Sequence, residues 1–237
     1  MTSPRTAAIG LGLADIAVTT LGALAVAALF PSASAWTARL IVVLVLAAGV
    51  AVLLATTRVW RTTGLREPRL LWLPALLAVL PLVGGVRLPG AGLLAVLVAG
   101  YAATGFVEEA LFRGLIPGVL RPTGVWPSVL LSSLLFAAAH LPNMLFGQAP
   151  AITLAQAVGT FCFGVGYAAL RLRTGALWPL MLLHFLTDLF LRVDALPAWA
   201  HWTVMVGGDT ALLVYGLYLL RNPLVPPPAE AGVSPRR

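Results

Sequence analysis

The sequence predicts an all-α protein, a polytopic membrane helix bundle of about eight transmembrane helices with a polar intramembrane cavity. Of its 237 residues 60% are hydrophobic and only 10% are charged, too few charged side chains to cover a soluble domain of that length. Apolar runs of helix-spanning length recur from end to end, each able to cross roughly 30 Å of hydrocarbon. Acidic and histidine side chains collect inside three of those runs, although a charge at the bilayer centre costs roughly 2.5–3.5 kcal/mol.

Taken in order, the predicted spans are 7–30, 39–57, 70–86, 91–120, 126–140, 152–170, 175–192 and 199–220. The first follows Arg5 and precedes Ala33-Ser34-Ala35, which resembles a signal-cleavage site. Its apolar stretch outlasts the core of a signal peptide and contains Asp15, so it reads as a transmembrane helix. Pro31-Ser32 closes it, and the segment from Arg58 to Arg69 separates the second span from the third. The third is short and interrupted by Pro74 and Pro81. Pro89-Gly90 precedes the fourth, while Arg121-Pro122, Pro142-Asn143, the stretch from Arg171 to Gly175, and Pro197 divide the rest. The Pro-rich tail 222–237 is expected to be disordered. With no internal repeat and no second domain, residues 1–237 read as one membrane domain whose motif-bearing core covers about 91–192.

All fifteen basic residues are Arg. With a cytoplasmic N-terminus, eleven of them, among them Arg5, Arg121, Arg171 and Arg221, fall on the inner side, against Arg39, Arg87 and Arg192 outside. That bias predicts a multi-pass cell-membrane protein with both termini in the cytoplasm. The formal charge of +7 does not point to nucleic acid, because the arginines are scattered through short loops rather than gathered on one face. The single cysteine, Cys162, lies in an apolar run and offers neither a disulfide framework nor a cysteine metal site; it reads as a packing residue.

The intramembrane polar residues form a pattern. The fourth span contains Glu108, Glu109 and Arg113, the fifth ends at Phe136 and His140, and the seventh contains His184 and Asp188. At 1.5 Å per helical residue, Glu108 lies roughly 18 Å from the inner end of its span and His140 roughly 21 Å, with His184 and Asp188 at roughly 14 and 20 Å. Glu109 and Arg113 share a helix face at i,i+4 and can neutralise each other, while Glu108 is rotated by about 100° and is free to point elsewhere. His184 and Asp188 are also i,i+4, and Phe136 lies one turn before His140.

Each piece also has a plainer use. A Glu109–Arg113 pair can simply join helices, and a single intramembrane His can serve as a helix–helix hydrogen-bonding residue. Asp15 and Asp209 stand alone and read as local polar contacts or partly hydrated sites, and His201 between Trp199 and Trp202 reads as interfacial belt. The joint occurrence of Glu108, His140, His184 and Asp188 at similar depth favours one shared cavity.

Glu108-Glu109-x-x-x-Arg113, then Phe136-x-x-x-His140, then His184-x-x-x-Asp188 resembles the three-motif signature of the CPBP family. These are intramembrane glutamic endopeptidases related to the CAAX prenyl proteases and to bacteriocin-processing or self-immunity proteins. The resemblance covers roughly residues 91–192. It implies that Glu108 is the general base that activates a water and that His140 aligns or polarises that water. It further implies that His184 and Asp188 occupy the pair that stabilises the oxyanion, with Glu109 and Arg113 holding the site in shape. The last position is often Asn in the prenyl-protease branch; Asp188 would repel an oxyanion if ionised, so it is expected to be protonated or to orient His184.

The expected activity is therefore hydrolysis of a peptide bond by a membrane-embedded endopeptidase, with a peptide or protein substrate and the lipid bilayer as partners. The alternative is a non-catalytic membrane protein that binds a peptide in the same cavity, as in self-immunity against a bacteriocin. Two His and two carboxylates could also bind Zn²⁺, but the H-E-x-x-H helix motif is absent and the resembling family works without a catalytic metal, so no metal or other cofactor is expected. A transporter would be expected to have repeated halves or paired broken helices, which the sequence lacks.

Overall fold

The computed structural model describes residues 2–57, 59 and 63–221; the tail 222–237 and part of the Arg58–Arg69 segment lie outside the described residues. Apolar runs become helices where caps satisfy their ends. Helix α1 (Pro4–Leu29) begins with the Thr6 N–H donating to Ser3 Oγ at 3.1 Å and with Pro4 in the first turn, where its missing N–H is not needed. Helix α2 (Ala35–Thr56) repeats the device, the Thr37 N–H donating to Ser34 Oγ at 3.1 Å. The third segment is helical but irregular: 3₁₀ turns at Pro68–Leu71 and Leu80–Gly84 flank the two-turn helix α3 (Trp72–Val79).

Helix α4 (Ala91–Glu109) passes through a π-helical turn, Ala110–Leu115, into α5 (Ile116–Leu120). Helix α6 (Val125–Ala138) gives way to a 3₁₀ segment, Leu141–Phe146, so His140 lies in a turn just beyond the helix rather than inside it as the 126–140 span implied. Helix α7 (Pro150–Thr174) ends at Gly175 with φ 68°, a left-handed conformation that glycine takes without a Cβ penalty. Helices α8 (Trp178–Val193) and α9 (Ala198–Arg221) complete the chain.

All eight predicted segments are helical, but not all are of spanning length. Six are long and apolar enough to cross a membrane: Pro4–Leu29, Ala35–Thr56, Ala91–Thr123, Val125–Phe146, Pro150–Thr174 and Ala198–Arg221. Pro68–Gly84 is shorter, and α8 has 16 residues, which cover about 24 Å. The protein is a polytopic membrane helix bundle, and Leu21, Val52, Val83 and Leu154 cover its outside as a lipid solvent requires.

Lipid gives apolar side chains no reason to leave it, so membrane helices gain by close backbone packing at small residues. A Cβ on Gly166 of α7 would stand 2.7 Å from the Leu212 carbonyl of α9, and one on Gly216 would stand 2.8 Å from Gly166 Cα. At the bundle end carrying the α8–α9 connection, the Arg87 N–H donates to the Val193 carbonyl at 2.7 Å and the Ala195 N–H to the Gly85 carbonyl at 3.1 Å. His201 belongs to this clasp rather than only to an aromatic belt, because its Nδ1–H donates to Asp194 Oδ2 at 2.8 Å.

Candidate active site

The site grows from a local irregularity in the fourth span. Pro117 has no N–H to offer the carbonyls of the preceding turn, and the chain widens there into the π turn Ala110–Leu115. The carbonyl of Phe112, five residues before Pro117, instead accepts from Ser132 Oγ of α6. Glu108 and Glu109 occupy the last turn of α4, immediately before this widening.

Close packing then brings α8 to the two glutamates. A Cβ on Gly105 would lie 2.8 Å from the Met181 carbonyl, so only glycine admits the α8 backbone at that point. Three residues further along each helix stand Glu108 and His184. The His184 ring takes a defined orientation: Nδ1–H donates to Glu109 Oε1 at 2.8 Å, while Nε2 lies 3.5 Å from Glu108 Oε2 and 3.7 Å from Asp188 Oδ2. From the turn that follows α6, His140 presents Nε2 at 3.9 Å from Glu108 Oε1, with Nδ1 2.9 Å from the Phe136 carbonyl. A carbonyl only accepts, so Nδ1 carries the proton, and in the neutral ring Nε2 carries a lone pair.

The neighbouring glutamates have different surroundings. Glu109 is fully buried and joins Arg113 at 3.2 Å as well as His184, whereas the Glu108 side chain remains 20% exposed. Arg113 is enclosed by rings, its guanidinium 4.1 Å from the Phe136 centroid and 5.5 and 5.8 Å from those of Phe163 and Tyr167. Phe136 also lies edge-on to His140 at a centroid distance of 4.8 Å. Phe163 and Tyr167 are site residues that the sequence did not single out; inside an apolar run an i,i+4 aromatic pair looks like any core packing.

Glu108, His140, His184 and Asp188 all line one cavity of about 600 Å³, within the size range of small-ligand and peptide sites. The cavity occupies the half of the bundle nearest the α1–α2, α6–α7 and α8–α9 connections, with Trp36, Arg39, Phe146 and Trp202 among its lining. Asp15, Asp209 and Cys162 line it too, which gives all three a place the sequence reading did not. Residue spacing carried a signal for the two aspartates: Asp15 lies eleven residues from the Pro4 end of α1 and Asp209 twelve from the Arg221 end of α9, roughly 16–18 Å, much as Glu108 lies from Leu120. Among the described residues no three His, Cys, Asp or Glu side chains are arranged to hold a metal ion.

The fold and this site together define the class: a polytopic membrane protein with a buried glutamate–histidine centre reached from an intramembrane cavity. Residues 90–190 match the family model described as Rce1-like, type II CAAX prenyl endopeptidase. The matched stretch runs from the start of α4 into the last turn of α8 and contains all three motifs, in agreement with the CPBP resemblance read from them. The family is one of membrane peptidases, whose substrates are peptides or proteins. No curated protein and no solved structure matches the chain.

Proposed function

We propose that this protein is an intramembrane endopeptidase that hydrolyses a peptide bond with a water activated by Glu108. The observation that carries the reading is the placing of one carboxylate, Glu108, within 3.9 Å of His140 Nε2 and 3.5 Å of His184 Nε2 on the wall of a single cavity. Glu108 Oε1 and the His140 Nε2 lone pair, 3.9 Å apart, are both acceptors and share no proton of their own, and one water can donate to both. Such a water keeps a lone pair for the carbonyl carbon of a bound peptide. As the C–O bond forms, the water's proton passes to Glu108 and the carbonyl π electrons move to oxygen, giving a tetrahedral oxyanion. Its collapse breaks the C–N bond, and the leaving nitrogen takes the proton from Glu108.

His184 is the group for the oxyanion. With Nδ1–H committed to Glu109, Nε2 donates only when both ring nitrogens are protonated, and Glu109, Glu108 and Asp188 are the anionic partners of that form. Asp188 then acts through His184 rather than on the oxyanion itself, which answers the repulsion expected of an Asp at this position. Glu109 and Arg113 are positioning residues. The eleven-to-three arginine bias supports cytoplasmic termini, and the cavity half of the bundle then faces the opposite side of the membrane.

The test compares purified wild type with Glu108→Gln and Glu109→Gln, reading cleavage of a peptide mixture by mass spectrometry alongside melting temperature in detergent. Glu108→Gln is expected to fold at least as well as wild type and to lose about 10²–10⁴-fold in rate. A folded but inactive Glu109→Gln beside an active Glu108→Gln would reverse the two roles. Wild type that binds peptides and cleaves none would replace the peptidase with a peptide-binding protein.

A further inference from the structure

The cavity has acidic walls outside the glutamate–histidine centre. Asp15 of α1 lines it with only 8% of its surface exposed. Helix α1 lies against α6, where a Cβ on Gly12 would stand 3.0 Å from Leu135 Cδ2, and Asp15 is one turn further along the same face. It therefore enters the cavity beside the stretch from Phe136 to His140. Asp209 enters from α9, its carboxylate lying over Gly159 of α7 so closely that any Cβ there would collide with it.

Neither aspartate has a hydrogen-bond or ion-pair partner among the described residues. Arg39, the guanidinium that lines the same cavity, is occupied elsewhere, stacked 5.5 Å over Trp36 and 5.3 Å over Phe146. Asp15 is buried and Asp209 half-buried, both open onto the cavity, and a cation brought against either carboxylate supplies the donors and the opposite charge that the protein does not. Because both side chains face the cavity, that cation comes with whatever occupies the cavity. With Glu108 and Asp188 they place four carboxyl groups, from α1, α4, α8 and α9, around one space.

We propose that Asp15 and Asp209 are specificity residues that select substrates carrying a cationic group near the scissile bond, a Lys or Arg side chain or a free N-terminal amine. This rests on the peptidase reading above. A bound cation meets an aspartate on the cavity wall without touching the reacting atoms, so Asp15 and Asp209 govern which peptide is held and not the chemical step.

The experiment uses the full chain in detergent and N-acetylated, quenched-fluorescent decapeptides of Ala and Leu with one Lys walked through the sequence. A second set has norleucine at each Lys position, and a third is neutral with a free N-terminal amine. Wild type is expected to favour Lys peptides at one or two positions over norleucine by about tenfold or more in kcat/KM. Asp15→Asn and Asp209→Asn are expected to remove that preference while leaving norleucine peptides within about twofold, and Asp15→Glu to restore it. A preference confined to the third set assigns the pocket to the N-terminal amine. Equal cleavage of the Lys, free-amine and norleucine sets, or equal loss on all three in the variants, overturns the proposal. If wild type cleaves nothing, the peptidase reading falls, and anisotropy binding of the same peptides decides this one: charge-selective binding lost in Asp15→Asn sustains it, and charge-blind or absent binding overturns it.

Discussion

His184 of α8 donates from Nδ1 to Glu109 Oε1 of α4 across 2.8 Å, a bond that joins residues 75 apart in sequence. Glu109 also holds Arg113 at 3.2 Å, so one fully buried carboxylate orients the imidazole on one side and neutralises a buried guanidinium on the other. Its neighbour Glu108 makes no ion pair with Arg113, stands 3.5 Å from the other ring nitrogen of His184 and faces the cavity.

Loss of the Glu109 charge is therefore expected to be a stability lesion. Glu109→Gln leaves Arg113 buried without its counter-charge, at a cost of roughly 3–5 kcal/mol. Thermal unfolding in detergent should place it well below wild type, with Glu108→Gln at or above wild type. A Glu109→Gln melting temperature equal to that of wild type would mean that the buried pair contributes little.

Gly105 sets the separation of α4 and α8. Gly105→Ala puts a Cβ 2.8 Å from the Met181 carbonyl and 3.2 Å from the Phe185 amide nitrogen, so the helices must move apart. Overpacking of this kind costs about 1–3 kcal/mol. Peptidase rate should fall further than the melting temperature alone would suggest, because Glu108 and Glu109 move away from His184 together. Gly92→Ala, also on α4 but with open space around its Cβ and no place on the cavity wall, is the control expected to leave both unchanged.

The π turn depends on a hydroxyl from another helix. Ser132→Ala removes the donor to the Phe112 carbonyl and leaves a buried acceptor unsatisfied, at about 1–3 kcal/mol. Ser132→Thr keeps the hydroxyl and is expected to retain more of the stability. Equal losses for the two substitutions would assign the effect to packing and not to the hydrogen bond.

Cys162 offers a native probe of sidedness. It is the only cysteine in the chain, and it is partly exposed on the cavity wall. A membrane-impermeant thiol reagent added to intact cells is expected to label it from outside, and a bound substrate peptide to slow the labelling. Reporter fusions at Met1 and Arg237 should both read as cytoplasmic. Labelling only from the cytoplasmic face of inverted vesicles would reverse the orientation of the cavity.

Run length, hydrophobicity and residue spacing are local properties, and they sufficed for much of this protein. They predicted a membrane helix bundle, the approximate helix bounds, the i,i+4 pairing of Glu109 with Arg113, and the similar depth of Glu108, His140, His184 and Asp188. What they do not contain is the rotation of each helix about its own axis, because that is settled where distant helices meet. The close approach at Gly105 turns Glu109 toward His184, an ion-pair partner the sequence had not supplied. The packing of Gly12 against Leu135 turns Asp15 into the cavity, and Asp209 reaches it over Gly159. Both aspartates looked solitary because depth along a helix is legible from residue count, whereas the direction a side chain faces depends on the helix packed against it. Pro117 was visible, but the widened turn before it also needed Ser132 from α6, a partner that only the folded chain brings within reach.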